Sequence, residues 1–115
     1  MPPEADLNRL RHMLEAAQDA VAFASGLTRQ ALDDNRMVAL AIVKSIEILG
    51  EAADKVSEAT RSDIPAVAWT QIVGMRHRLI HAYFDIDLNI VWDTVEIDLP
   101  PLIATLDSYL LEATD

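Results

Sequence analysis

Between Gly74 and Phe84 the chain reads Gly-Met-Arg-His-Arg-Leu-Ile-His-Ala-Tyr-Phe, and six of those positions hold two of its nine Lys and Arg residues and two of its three histidines. An arginine fork suits a phosphate, an imidazole titrates near neutrality, and a phenol offers a hydroxyl. Arg76, His81 and Tyr83, spaced Arg, four residues, His, one residue, Tyr, thus present a phosphate clamp, a proton shuttle and a candidate nucleophile. No Asp or Glu occurs from Ile64 to Phe84, although the chain carries 19 of them.

The rest of the composition narrows the chemistry. A formal net charge of -10 opposes broad, non-specific binding of polyphosphates, so any contact with RNA must be local, and an acidic surface suits a basic partner. Cysteine is absent, which removes disulfides and thiolate metal sites. His77 and His81 are four apart, a spacing that can bind zinc, but no glutamate lies between them and no metal site is assigned. There is no glycine-rich phosphate loop and no Ser-His-Asp arrangement, and no cofactor is implied. Trp69 and Trp92 lie on apolar faces and are read as core rather than as base-stacking platforms. The segment Met1 to Asp6 lacks the basic start and apolar core of a signal peptide, and the longest apolar run, Met37 to Val43, is far short of the roughly 20 residues that span a bilayer. A soluble cytoplasmic protein is expected.

Helices must position the motif. With 115 residues, about half of them hydrophobic, one domain covering residues 1–115 is expected. From Asp6 to Ser25 the apolar positions Leu7, Leu10, Leu14, Ala17, Val21 and Ala24 step by three and four, the seam of an amphipathic helix, and Gly26 stands where a left-handed cap belongs. After a polar connection from Leu27 to Asn35, with a helical turn of its own, a second helix is predicted from about Asn35 to Ala59. Its run Met37 to Val43 is apolar on more than one face, as in a helix central to a bundle or covered by a second subunit. Gly50 inside it points to a close backbone approach, because glycine there costs roughly 1 kcal/mol against alanine. Ser62-Asp63-Ile64-Pro65 reads as the start of a third helix carrying Trp69, Ile72, Arg76, Ile80 and Tyr83. Asp87 is a good N-cap for a fourth, built on Leu88, Trp92, Val95, Leu99, Leu102, Leu106 and Tyr109, which Pro100-Pro101 must kink or split. No alternating strand pattern appears. The expected fold is all-α, an antiparallel up-and-down four-helix bundle.

On an ideal helix Arg76 and Tyr83 are nearly aligned, whereas Arg76 and His81 differ by about 140°. Convergence on one phosphate therefore needs the reach of the arginine, a loosened helix end near Tyr83, or a second copy across a twofold axis, which is favoured because it puts two sets of groups into one cleft. The blander account leaves Arg76 and Arg78 solvated, His81 filling a bundle position and Tyr83 packed. Glu51 could pair with Arg76 or orient His81, although a surface pair with Lys55 four residues on is better supported by its spacing.

The segment Met75 to Asp87 resembles the signature of the HepT family, the HEPN-domain toxins paired with minimal nucleotidyltransferase (MNT) antitoxins. Gly50-Glu51-Ala52, Ile64-Pro65 with Trp69, and Val91-Trp92 also match, and the resemblance runs from about Leu7 to Leu110. Two departures are His77, where the family often has Asn, and the double proline Pro100-Pro101, where one is more usual. The resemblance implies a HEPN-like bundle acting as a homodimer, and a metal-independent ribonuclease of a type VII-like toxin–antitoxin pair with Arg76 and His81 as its catalytic pair. It also implies Tyr83 as the residue to which the MNT partner attaches AMP. Glu51 and Arg78 are candidates for a supporting role beside these residues. The alternative from another class is a non-catalytic helical module that holds a nucleotidyltransferase or a nucleotide.

Overall fold

The computed structural model describes residues 2–82 and 85–114, without the side chains of His81 and Ala82. Three long helices make its frame: α1 (Glu4–Ala24), α3 (Arg36–Asp54) and α8 (Leu99–Ala113). Between them lie the short helices α2 (Arg29–Asp34), α4 (Glu58–Asp63), α5 (Trp69–Val73), α6 (Met75–Leu79) and α7 (Leu88–Asp93), and one wide π-helical turn, Thr94–Asp98. The chain is thus mostly helical, as its periodicity predicts.

α1 and α3 form the principal pair and α8 packs on α1. Leu10 and Met13 of α1, Ile42 and Leu49 of α3 and Leu106 of α8 are fully buried, and Ala16, Ala17, Ala20 and Ala24 give α1 a flat seam against its neighbours. Gly26 adopts φ +77°, the left-handed cap expected after α1. Asn35 caps α3 by accepting from the Val38 N–H, and Asp87 caps α7 by accepting from the Ile90 N–H.

Between Lys55 and Asp87 the structure departs from a bundle of four continuous helices. The second helix stops at Asp54 rather than near Ala59, because Ser57 becomes the N-cap of α4. Asp6, in the first turn of α1, accepts from the Ser57 N–H (3.1 Å) and from the hydroxyls of Ser57 and Thr60 (both 2.5 Å). Arg61 then folds back over the end of α3, donating to the carbonyls of Ala53, Asp54 and Val56 and lying 5.6 Å from the Trp69 ring centroid. Ala53 and Asp54 are in the last turn of α3, where carbonyls lack the full set of intrahelical donors, and Val56 lies just beyond it.

The predicted third helix does not begin at Ser62. Ser62 and Asp63 close α4, Ile64 before Pro65 takes a non-helical φ of -126° and ψ of 66°, and helix resumes only at Trp69. It is interrupted at Gly74 and ends at Leu79, where Ile80 turns extended. Residues Ile80–Ala82 (β1) and Asp85–Ile86 (β2) pair as a two-stranded antiparallel ribbon, with an irregularity between Ile80 and Ala82. The Asp87 N–H donates to the Leu79 carbonyl at 2.8 Å and closes its base. β-branched and aromatic residues are dense enough here to favour extended chain, although the stretch is too short to show an alternating pattern.

The last helix stays helical through Pro100-Pro101. Its irregularity lies one turn earlier, where the Leu99 N–H donates five residues back to the Thr94 carbonyl. A proline ring crowds the carbonyl four residues before it, and the widened turn gives room for two successive rings.

Asp6 carries the stability prediction. Its hydrogen bonds from Ser57 and Thr60 hold its carboxyl below the ordinary aspartate range, against the opposing effect of burial. A folded-state pKa below the unfolded value stabilises fully above about pH 4 and loses that contribution as pH falls through the lower folded value. Asp6→Asn is expected to cost about 2 kcal/mol in urea unfolding at neutral pH, with the gap to wild type closing under acid.

Candidate functional site

Arg76 sits in the second position of α6, and Gly50 sets how α3 lies behind it. A Cβ at Gly50 would come 3.2 Å from the Ile72 carbonyl oxygen, so only glycine gives α3 and α5 this separation without a shift. This is the close approach that Gly50 led one to expect. The guanidinium of Arg76 is more than half exposed, and its Nε lies 3.8 Å from Oε2 of Glu47, beyond a direct hydrogen bond. The carboxylate beside it is therefore that of Glu47, one turn before Glu51. Glu51 is exposed and makes no ion pair with Arg76 or with Lys55 among the described residues.

Arg76 stands between two depressions of opposite character. Toward the C-terminal end of α3 a hollow is lined by Glu47, Glu51, Asp54, Gly50 and Val73. Toward the N-terminal end a groove of about 350 Å3 is lined by Arg36, Lys44 and Arg76, with Leu40, Val43, Ile80 and Ile86 as its apolar wall and Glu47 at the junction. Arg36, Lys44 and Glu47 escaped the sequence reading. Their spacing of eight and then three residues on α3 does place them on one side of the helix, within an arc of about 80°, and that was the available signal.

The other candidates fall elsewhere. Arg78 is exposed and lines a separate cavity of about 200 Å3 between the segment Ala66–Ala68, α5 and the start of α8, with Asp98 and Gln71 also at its wall. The structure thus puts the two arginines of the motif on different faces of α6. His77 is exposed. His81 belongs to β1, two residues past the end of α6, so the helical alignment argument for Arg76, His81 and Tyr83 does not apply. Of the ways in which these groups could converge, the loosened helix end is present in the backbone. The side chain of His81 and the whole of Tyr83 lie outside the described residues. Trp69 is packed against the core with its indole N–H shared between the carbonyls of Arg61 and Ile64, and Trp92 is likewise packed against the core. Among the described residues no three His, Asp or Glu side chains come together as a metal site needs, and no helix is long and apolar enough to cross a membrane.

A family model described as ribonuclease HepT-like matches residues 13–109. The chain belongs to the HepT-like family. It is 34% identical over 93 residues to a Methanocaldococcus jannaschii protein named "Putative RNase MJ1380", covering 81% of this chain and 85% of that one. It is 30% identical over 93 residues to "Probable ribonuclease HepT" of Thermococcus cleftensis, covering 77% and 84%. No solved structure matches. The matched span includes both walls of the groove and the whole Arg76 to Tyr83 motif.

The Arg76–Glu47 contact is solvent-screened and loose, which is how a guanidinium is left free to exchange a carboxylate for a phosphate. Glu47→Gln is expected to change the unfolding free energy by less than about 1 kcal/mol. A urea titration showing a larger loss would make the pair a structural bond instead.

Proposed function

We propose that this chain is a HepT-type toxin, a metal-independent endoribonuclease of a type VII-like toxin–antitoxin pair, with Arg76 and His81 as its catalytic residues. The observation that carries the reading is an exposed arginine at the end of a cation-lined groove in a chain of the HepT-like ribonuclease family. In this reading residues 1–115 form one HEPN-type domain, a four-helix bundle whose third member is broken at Gly74. Two copies assemble as a homodimer in the cytoplasm.

The chemistry needs no cofactor. Arg76 binds the scissile phosphate and stabilises the charge that builds on its oxygens. His81 takes the proton from the ribose 2′-hydroxyl as the O2′–P bond forms. The P–O5′ bond breaks, and an imidazole returns a proton to the leaving 5′-oxygen, from the same His81 or its twin across the dimer. The products are a 2′,3′-cyclic phosphate and a 5′-hydroxyl end. Glu51 and Arg78 sit in the outer surroundings of this centre rather than on the phosphate.

The partner is an MNT-family nucleotidyltransferase that attaches AMP to Tyr83. A phosphodiester-linked nucleotide beside Arg76 adds bulk and negative charge where substrate phosphate must enter, and so silences the enzyme. The rival reading, a non-catalytic module that holds the transferase, shares the fold and lacks the cleavage.

Expressed without its partner, the wild type is expected to slow growth, whereas His81→Ala does not. On purified RNA, His81→Ala is expected to lower kcat roughly 10²–10⁴-fold and Arg76→Ala roughly 10²–10³-fold. Equal growth inhibition by wild type and His81→Ala would favour the binding module. Co-expression with the transferase is expected to add mass in steps of one AMP, and Tyr83→Phe to abolish the gain, as intact-mass spectrometry would read directly.

A further inference from the structure

We infer that Arg36 and Lys44 form the path along which the RNA strand leaves the scissile phosphate, so that its backbone runs from Arg76 over α3 toward the N-terminus of that helix. The inference rests on the ribonuclease reading and adds a direction and two binding residues to it.

Charge distribution gives the first argument. Of the nine Lys and Arg residues, Arg11 is engaged by Glu4, Arg29 by Asp33, and Arg61 by the carbonyls at the end of α3. Arg36, Lys44 and Arg76 share one groove, and neither Arg36 nor Lys44 has an ion-pair partner among the described residues. An acidic chain that gathers a third of its cations along one groove, with Glu47 at its end, has made an anion site there.

Polarity along α3 favours the same direction. On the far side of Arg76 the hollow is lined by Glu47, Glu51 and Asp54, which repel a phosphate. Arg36 is the first residue of α3, where the helix dipole adds positive potential, while Asp54 is the last, where the dipole is negative. Side-chain charge and backbone dipole thus point the same way, and of these two directions a polyanion anchored at Arg76 is favoured toward Arg36.

Dimensions and chemistry of the wall agree. Arg36 and Lys44 are eight residues apart, about 12 Å along the helix axis. That spacing is too long for one phosphate to bridge and suits phosphates two nucleotides apart on one strand. Leu40, Val43, Ile80 and Ile86 line the same groove and offer apolar surface to sugars and base faces. Both cations are exposed, so their removal leaves the core untouched.

The test uses the full-length protein and a short single-stranded RNA of mixed sequence. Binding is measured at several salt concentrations on a His81→Ala background, which prevents turnover, and cleavage is measured on the wild-type background. Each of Arg36→Gln and Lys44→Gln is expected to reduce the slope of log affinity against log salt by about 0.7, the double substitution by about 1.4. In cleavage the loss is expected in KM, and Lys44→Arg is expected to restore the slope. Thermal melting of the variants checks that the fold is kept. If the wild type cleaves RNA while the double variant keeps the wild-type slope and KM, the path is wrong and the ribonuclease reading stands. If the wild type neither binds nor cuts RNA, both fall together.

Discussion

The buried carboxylate of Asp6 fixes where α3 ends, and the rest of the functional half of the molecule follows from that end. Ser57 can cap a new helix because Asp6 has taken its N–H and hydroxyl, and Thr60 is held by the same carboxylate. Arg61 is thereby delivered to the last carbonyls of α3, and its guanidinium lies over Trp69, the first residue of α5. A carboxylate with three donors, in a place with little water, is costly to leave half-paired, which makes the junction a firm reference point rather than a flexible turn.

From that junction the position of Arg76 is set at short range. Trp69 opens α5, Gly50 lets α5 settle against α3 at a distance that a methyl group would disturb, and the break at Gly74 turns α6 so that Arg76 meets the α3 surface. The same turn sends Arg78 to the cavity beside α8. Two arginines separated by one residue thus face different environments, one among the cations of α3 and the other beside Asp98. A continuous helix through Tyr83 would have coupled the motif rigidly to the bundle. The chain beyond Leu79 is instead tied to the start of α7, through the hydrogen bond from Asp87 to Leu79.

What could be read from the sequence divides along physical lines. α1, α3 and α8 each bury one face, so Leu10, Leu49 and Leu106 recur at helical spacing and announce themselves locally. The segment from Lys55 to Asp87 is shaped by bonds that spacing cannot show: Asp6 to Ser57 across 51 positions, Arg61 to Ala53 across eight, Trp69 to Arg61 across eight. Ser62-Asp63-Ile64-Pro65 looked like a helix start because its residue types suit one, yet tertiary contacts used Ser57 for that role. The site shows the same contrast. Arg76 was legible from its motif, but Glu47, Arg36 and Lys44 become its neighbours only once α6 crosses α3, and no local pattern marks such a crossing.

The acidity of the chain and a cation-lined groove are compatible because distance matters more than totals. α3 has 19 residues and is about 28 Å long, several times the roughly 8 Å over which physiological salt screens exposed charge. Carboxylates near Asp54 therefore act on Arg76 and are barely felt at Arg36. A net charge of -10 measures how the molecule behaves from afar, where it resists long polyanions, while an anion brought to Arg76 would meet the three cations that line the groove. By the same arithmetic, one negative charge within a few ångströms of Arg76 offsets the local attraction more than the many carboxylates beyond the screening length.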